Sequence, residues 1–494
     1  MTTKSQSHLL NFVVFISGAV IMILELTGSR ILAPHVGNSL PVWTGLIGII
    51  LGSLSIGYVW GGKIADNKPT VAKLSLILFL ASITLSVIPM LSKFALPTIT
   101  ALFFDLRIAA SIATILLFTL PSILLGMVSP YALRLKLKDI QSSGTTAGNL
   151  SAISTIGSIF GTFFAGFFLI AFLGSSTILS VLAVTTFFLS CLLATKYFWK
   201  KVILFIIFFG LLSKTDSLAS LQFHHPVLEK DTLYNHVSIS DITNATPKQT
   251  VRELIIGNAH NSAMFLNSNE LAYDYTKYYR LVDHFVPNIT NALMIGGGGY
   301  SYPKDFIRVH PRATLDVVEI DPGVTELAKQ YFSFRPNAHT TIFNEDGRTF
   351  LNREGRQYDA ITIDAFSDYW SPFQLTTQEA LKHMSAMLSP QGVIITNTVS
   401  TIAGDRGKFL RAEYYTYKSV FPYVAIFPIS DPQEDLALQN IMIIAAKKPL
   451  KLTDKNKKFQ SYLSTIWTGD IPNDVPILTD NYAPVEYFAM KMLQ

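Results

Sequence analysis

Cysteine is almost missing from this chain, and charge is scarce. One cysteine in 494 residues excludes a disulfide framework and a cysteine-ligated metal site. That one, Cys191, falls in an apolar run. Charged residues make up only 15% and hydrophobic residues 49%, and the mean hydropathy is +0.36. An ordinary soluble protein of this length is less apolar than that. Excess positive charge is small too, at +5, and its lysines and arginines cluster between apolar runs. This reads as membrane topology and not as nucleic-acid binding. Internal repeats and low-complexity tracts are also missing.

What is present divides the chain. The apolar excess lies before about residue 215 and forms six runs, roughly 9–33, 43–62, 72–92, 108–132, 148–173 and 176–199. Each is near the ~20 residues that cross a bilayer as a helix. The first is too long for a cleaved signal peptide, carries Glu25 and Arg30, and is followed by five more. Gly48, Gly52 and Gly57 in the second run, and Gly157, Gly161 and Gly166 in the fifth, recur near one helix face, where small residues let helices pack closely. Lys63, Lys68 and Lys73 follow the second run, Arg134, Lys136 and Lys138 the fourth, and Lys196, Lys200 and Lys201 the sixth. The opposite loops hold Arg30, Lys93 and Arg107. This bias puts the N-terminus, and the chain after the sixth span, in the cytoplasm. A seventh run, Val202 to Leu212, is about 17 Å long as a helix against a hydrocarbon core of about 30 Å. It is expected to lie along the membrane or dip into it; if it spans, the C-terminal half lies outside the cytoplasm. Glu25 reads either as part of a polar pocket or as half of an internal ion pair, and Arg30 as a structural residue near the membrane edge.

From about Phe223 the pattern changes. Tyr234–Ser240, Glu253–Ile256 and Ala263–Leu266 alternate in polarity between turn residues, which predicts a small antiparallel β subdomain. A helix is expected from Glu270 to Val286. Beyond it come strands at 291–296, 314–320, 340–344, 359–364, 392–397, 423–428 and 440–446, with helices at 303–309, 323–331, 376–388 and 406–420. The alternation implies a mainly parallel sheet covered by helices. The expected organisation is a helical membrane domain (1–221), a small β subdomain (222–268) and an α/β Rossmann-like domain of methyltransferase type (269–494).

The candidate site lies at the strand ends. The apolar strand Leu293-Met294-Ile295 runs into Gly296-Gly297-Gly298-Gly299, and the next strand ends in Glu319, about 20 residues on, with Asp321 after it. That is the layout of a nucleoside-binding sheet: glycines let the backbone approach a ligand, and the acid accepts both ribose hydroxyls. The third strand ends in Glu345-Asp346-Gly347 and the fourth in Asp364. Asp321, before Pro322, reads as a helix cap. A pyrophosphate would not suit a pocket that collects carboxylates, whereas a sulfonium cation would. The favoured ligand is therefore S-adenosylmethionine or its decarboxylated form, ahead of a nicotinamide dinucleotide.

These residues resemble the spermidine synthase (polyamine aminopropyltransferase) superfamily over 291–397. The whole chain resembles that superfamily's bacterial membrane-fused branch. The segments that carry the likeness are Ser17-Gly18-Ala19 through Glu25 and Arg30, Thr119-Leu120-Pro121 through Gly126 and Pro130, Asn149 through Gly161, Asp364-Ala365-Phe366-Ser367-Asp368 through Leu375-Thr376-Thr377, and Leu478-Thr479-Asp480-Asn481-Tyr482-Ala483-Pro484-Val485-Glu486. The resemblance implies that Gly296, Gly297 and Gly298, with Gly347 nearby, underlie the sulfonium nucleoside. It implies that Glu319 binds the ribose, that Asp346 contacts the adenine amine and that Asp364 stands beside the reacting amine. In Glu270-Leu271-Ala272-Tyr273-Asp274-Tyr275 it points to Tyr273, with Asp274 beside it, in the acceptor pocket. The alternative for Tyr273 is an aromatic packed into the core. Two departures stand out. Gly299 occupies the place of a family aspartate that binds the donor's amino group. The loop after Asp364 reads Asp-Ala-Phe-Ser-Asp-Tyr-Trp-Ser-Pro in place of the compact Asp-Ser-Ser-Asp-Pro, so Asp368, Tyr369 and Trp370 are candidates for a different lid.

The function implied is a multi-pass enzyme of the bacterial inner membrane with a cytoplasmic catalytic domain. It would move an aminopropyl or related alkyl group from decarboxylated S-adenosylmethionine, or S-adenosylmethionine itself, to a small amine such as putrescine, and release methylthioadenosine. Asp364 is the candidate general base, and neither a metal nor a covalent intermediate is required. The partners expected are the lipid bilayer and a small amine, with room for a homo-oligomer. Two rivals stay open: a methyltransferase on the same sheet, and a transporter with a polyamine- or nucleoside-sensing domain.

Overall fold

A computed structural model describes residues 4–37, 39–103, 105–137, 142–193, 198–206, 226–244, 249–257, 259–366, 371–454 and 457–492. The chain forms two compact units, Met1–His225 and Pro226–Gln494.

The first unit is helical. It comprises α1 (Lys4–Val36), α2 (Leu40–Asp66), α3 (Val71–Leu102), α4 (Leu106–Gly126) continued by α5 (Val128–Lys136), α6 (Ser143–Phe164) and α7 (Ser175–Leu192). Among the described residues, six helical segments are long and apolar enough to cross a membrane. A helix satisfies its own backbone groups, which hydrocarbon demands. Pro89 and Pro97 sit inside α3 and Pro121 inside α4; neighbouring helices and hydroxyls make such prolines tolerable in a membrane. Thr70 and Asp105 cap α3 and α4 by accepting the amides of Lys73 and Arg107. Glu25 is buried in the middle of α1.

Small residues set the closest helix contacts, though not all of those expected. A Cβ on Gly157 would collide with the Phe15 carbonyl, and one on Gly161 would come within 2.7 Å of the Ala19 Cα, so α6 lies directly on α1. Gly57 and Gly61 press in the same way on Ile123 and Met127, joining α2 to α4. Gly48, Gly52 and Gly166 meet nothing within 4 Å and lie on exposed faces. Their spacing is right, but their angle around the helix is not.

Residues 198–206 are helical. Lys201 Nζ donates to Ser75 Oγ at 2.6 Å and to Ser190 Oγ at 3.1 Å, and Phe205 stacks on Phe187 at 4.1 Å. Partner numbers on α7 fall as numbers on this segment rise, so it doubles back antiparallel to α7. Residues 207–212 lie outside those described.

The second unit holds two sheets. β1 (Leu228–Asp231), β2 (His236–Asn244), β3 (Gln249–Ile256) and β4 (Ala259–Phe265) form an antiparallel sheet in chain order. Seven strands, β5 (Asn291–Ile295), β6 (Thr314–Val318), β7 (Thr340–Phe343), β8 (Tyr358–Ile363), β9 (Leu388–Ser400), β10 (Tyr423–Pro428) and β11 (Gln439–Ala446), form the second, in the order β10-β11-β9-β8-β5-β6-β7. β5 to β9 pair in parallel, while β11 and β10 are antiparallel at one edge. Its helices include α8 (Asp274–Tyr278), α9 (Ser301–Val309), α10 (Pro322–Tyr331), α11 (Gly347–Arg353), α12 (Gln378–Met387) and α13 (Lys408–Lys418). Residues of β5 alternate between two cores: Ala292 and Met294 join one, Leu293 and Ile295 the other. Both faces of the sheet are therefore covered. Strand order reverses between β5 and β8, which opens a crevice at their carboxyl ends.

Several elements differ from the sequence expectation, among them an unforeseen helix at Val485–Met492. The helix expected from Glu270 begins at Asp274, because Leu271 first bridges to Met264 in extended form. A crossover helix, α11, connects β7 to β8, where none was expected. β1 was not foreseen, since Leu-Glu-Lys-Asp shows no alternation.

Candidate active site

The chain places a glycine turn and an acid back to back at the β5/β8 crevice. The Asp364 amide donates to Ile295 O at 2.8 Å. Gly296 has φ +91°, and a Cβ there would overlap the Asp364 carbonyl. Only glycine meets both conditions. Tyr300, at φ 55°, closes the turn; its buried ring stacks on Phe334 at 4.2 Å and its hydroxyl pairs with Thr325 at 2.8 Å.

Glu319 follows β6 and is buried. Its Oε2 accepts the amides of Gly297 (2.9 Å) and Gly298 (3.0 Å), and its Oε1 accepts that of Asp321 (3.0 Å). Burial pushes its carboxyl above the usual range, and the three amides pull it back in part. Oε2 already accepts two amides, while Oε1 retains a second lone pair for a ligand. Asp346 caps α11 by accepting the Thr349 amide at 2.9 Å. Asp321 caps α10, as its place before Pro322 predicts.

Asp364 ends β8. Its Oδ1 accepts Asn397 Nδ2 at 3.1 Å and its Oδ2 accepts the Tyr275 hydroxyl at 3.3 Å. Asn440 in turn donates to Asn397 Oδ1 at 3.0 Å, which fixes the amide's orientation. Burial pushes the Asp364 carboxyl up to about 6, against the pull of these donors.

Two hollows meet here. One, of about 120 Å³, is lined by Gly296, Gly298, Glu319, Asp346, Gly347 and Asp364, with Leu375 and Pro372. The other, of about 580 Å³, is lined by Glu253, His260, Tyr273, Asp274, Tyr275 and Asn397, among others, and shares Asn261, Gly298, Asp364 and Phe366 with the first. Gly297 lines the larger hollow. Every site residue expected from the sequence thus borders one of the two, except Asp368, which lies outside the described residues with Tyr369 and Trp370. Asp274 is at the mouth, paired with Lys277 at 2.6 Å.

Residues 278–448 match the spermine/spermidine synthase domain. The polyamine aminopropyltransferase of Vibrio vulnificus is 31% identical over 218 residues, which span 40% of this chain and 70% of that protein. This chain belongs to the spermidine synthase family. An N-terminal histidine N-methyltransferase of Emericella nidulans is 35% identical over 180 residues, covering 34% of this chain but only 31% of its own length. Among solved structures, a probable spermidine synthase of Corynebacterium glutamicum aligns over 51% of this chain and 89% of its own, with 18% identity and a TM-score of 0.41.

Against the family pattern, Gly299 is explained by packing. Its amide donates to Ser262 Oγ at 2.9 Å, and a Cβ there would sit 2.7 Å from the Ser262 Cβ and 3.2 Å from Phe332. β4 fills the space that an aspartate would need. Sequence reasoning missed Glu253, His260 and Asn261, which come from the small β sheet, and Asn397 and Asn440, which lie in apolar strands. The one available signal was polar residues interrupting strand runs.

Proposed function

We propose that this spermidine synthase family member transfers an aminopropyl or closely related alkyl group from decarboxylated S-adenosylmethionine, or from S-adenosylmethionine, to an amine. The observation that carries the reading is Asp364 at the junction of a glycine-and-acid hollow and an aromatic, acid-lined hollow. In this reading the nucleoside occupies the smaller hollow, with Gly296–Gly298 under it, Glu319 on the ribose hydroxyls and Asp346 near the adenine. The acceptor amine occupies the larger one, beside Tyr273.

The chemistry then follows from charge. The acceptor arrives as an ammonium ion, and Asp364 takes its proton. The freed nitrogen lone pair attacks the carbon next to the sulfonium. The carbon–sulfur bond breaks with its electrons going to sulfur, and neutral methylthioadenosine leaves. Alignment of nitrogen, carbon and sulfur supplies the rest. A carboxyl held near 6 is ionised at pH 7 yet basic enough to receive a proton. With Ser262 in place of a family acid's side chain, the donor's tail meets no carboxylate from the glycine turn, so no like charge there opposes a donor that keeps its own.

Incubation of the purified full chain with both donors and a panel of amines, with mass detection, tests this. Methylthioadenosine together with an alkylated amine is the expected result. S-adenosylhomocysteine would replace the reading with methyl transfer, and binding without turnover would replace it with sensing or transport.

We also propose that the second unit faces the cytoplasm, where the sulfonium donors are made. The lysines after the second, fourth and sixth spans support this. A reporter fused after Gln494 tests it: fluorescence from a protein that folds only in the cytosol is expected, and alkaline phosphatase activity would overturn it.

A further inference from the structure

Glu25 lies inside the first span and is 9% exposed. Among the described residues it has neither a hydrogen bond nor an ion pair, so the internal ion pair is not its role there. The helix that carries it is enclosed, because α2, α3, α4, α6 and α7 all pack against α1.

Helix register shows where Glu25 is directed. Gly18 faces α6, since a Cβ there would meet the Ser154 carbonyl and lie 3.2 Å from Ser158 Oγ. Gly28 faces α4, since a Cβ there would lie 3.2 Å from the Phe118 ring. Glu25 comes about two turns after Gly18 and one turn before Gly28. Its side chain is therefore directed between α6 and α4.

Both neighbours depart from regular helix packing at that level. Gly157 meets Phe15 and Gly161 meets Ala19, so α6 runs parallel to α1. Continued in that register, the turn Ala165–Leu169 stands level with Ile23 to Thr27, and this turn is π-helical. A π turn inside an α-helix is a frequent mark of a functional site. On the other side, Leu46 meets Gly28 as α2 turns back from α1, and Gly57 and Gly61 meet Ile123 and Met127 in order. α4 is thus parallel to α2 and antiparallel to α1. Ser122, one turn beyond Phe118 on the same face, stands level with Leu24 and Glu25. It is 1% exposed, and its Oγ has no partner among the described residues. The Thr114 hydroxyl, two turns earlier on α4, bonds the Ala110 carbonyl of its own helix; that of Ser122 does not.

The chemistry of the ligand follows. A carboxylate is not left bare between apolar helices, so it holds a proton or another cation. A calcium ion takes about six to eight oxygens. Glu25 and Ser122 together offer two carboxylate oxygens and one hydroxyl, which match the N–H donors of a primary ammonium. Ile23, Leu24 and Phe118, in one apolar cluster, suit the hydrocarbon chain behind it.

We propose that the helical unit binds a primary alkylammonium ion at Glu25, with Ser122 as a second acceptor, in exchange for the proton that the carboxyl otherwise holds. The helical unit is then a cation-binding module and not only an anchor. This does not rest on the alkyl-transfer reading above.

The test uses the full chain in lipid nanodiscs and dicyclohexylcarbodiimide, an apolar reagent that converts a protonated carboxyl to an acylurea. Peptide mass spectrometry reads the modification at Glu25 itself, so an amine bound in the second unit does not enter the reading. Glu25 should be modified. Butylammonium should slow the modification, and tetramethylammonium, which has no N–H, should not. Ser122→Ala should still be modified but need about 10-fold more butylammonium for the same protection, the worth of a hydrogen bond to a charge. Glu25→Gln supplies the unmodified blank. Equal protection by both ions, modification that butylammonium does not slow, or a Glu25 that the reagent never modifies would each overturn the site.

Discussion

The two units of this chain bury polar side chains in opposite ways. In the helical unit many hydroxyls turn back on their own helix: Ser53 donates to Ile49 O, Thr114 to Ala110 O, Ser82 to Phe79 O and Ser86 to Ile83 O. In the second unit many bridge distant segments: Asn397 to Asp364, Thr398 to Glu413 and Arg411 to Asp474. The cause is the surroundings each unit is built for. Between apolar helices the nearest acceptor is a carbonyl one turn back. At the ends of parallel strands, loops from far along the chain converge, and their polar groups find one another. The Ser75–Ser190 pair with Lys201 is an exception, and it lies at one end of α7. Local bonds hold a helix; long-range bonds build a site.

Changes to each unit can break or sharpen this contrast. The largest effect is expected from glycine. Gly296→Ala forces a Cβ into the Asp364 backbone at φ +91°, so donor binding should vanish in calorimetry while the helical unit keeps its thermal transition. Gly157→Val should do the reverse, because its Cβ meets Phe15. Donor affinity lost in the second variant and kept in the first would invert the assignment.

Next comes Asp364→Asn, which should lower turnover by about 100-fold or more and leave methylthioadenosine affinity within a few-fold. The pH profile gives its sign. The base works only when ionised, so wild-type kcat/KM should rise with pH through about 6, and the variant should lose that rising limb. A retained limb would move the proton acceptor elsewhere, with Asp368 the next candidate.

A smaller loss, about 10-fold in donor affinity, is expected for Glu319→Gln. Its amide keeps one acceptor oxygen, but it cannot serve both the turn's amides and a ribose as the carboxylate does. Unchanged calorimetric affinity would remove Glu319 from the donor site.

The smallest effects test the contrast itself. Thr398→Val strips the buried Glu413 of its hydroxyl donor and should cost about 1–3 kcal/mol of stability. Ser53→Ala removes only a bond within α2 and should cost about 0.6 kcal/mol. Thermal unfolding of both variants ranks them, and equal losses would sink the distinction.

Legibility in the sequence runs along the same line. The six spans could be read from length and apolarity alone, and the glycine turn and the strand-end acids from order along the chain. Glu253 and His260 could not, because one extra residue in β4 decides which face His260 takes. Gly48 and Gly52 were misplaced because spacing fixes neighbours on a helix but not which face is covered. α11 is seven residues long and starts at a glycine, too short for its period to show. Asn397 sits in a strand that reads as continuous core.

The contact between Gly296 and Asp364 has a consequence for how such a site can diverge. The turn proposed to carry the donor and the residue proposed as base meet through main chain, on neighbouring strands joined by ladder bonds. Their relative position owes nothing to a rotamer and little to side-chain identity. The opposite wall is borne on β3, β4 and the segment leading into α8, and its polar groups are largely side chains such as Glu253, His260 and Tyr273. Substitution there would retune which molecule enters while leaving the reacting geometry untouched, so within this architecture specificity is free to drift faster than mechanism.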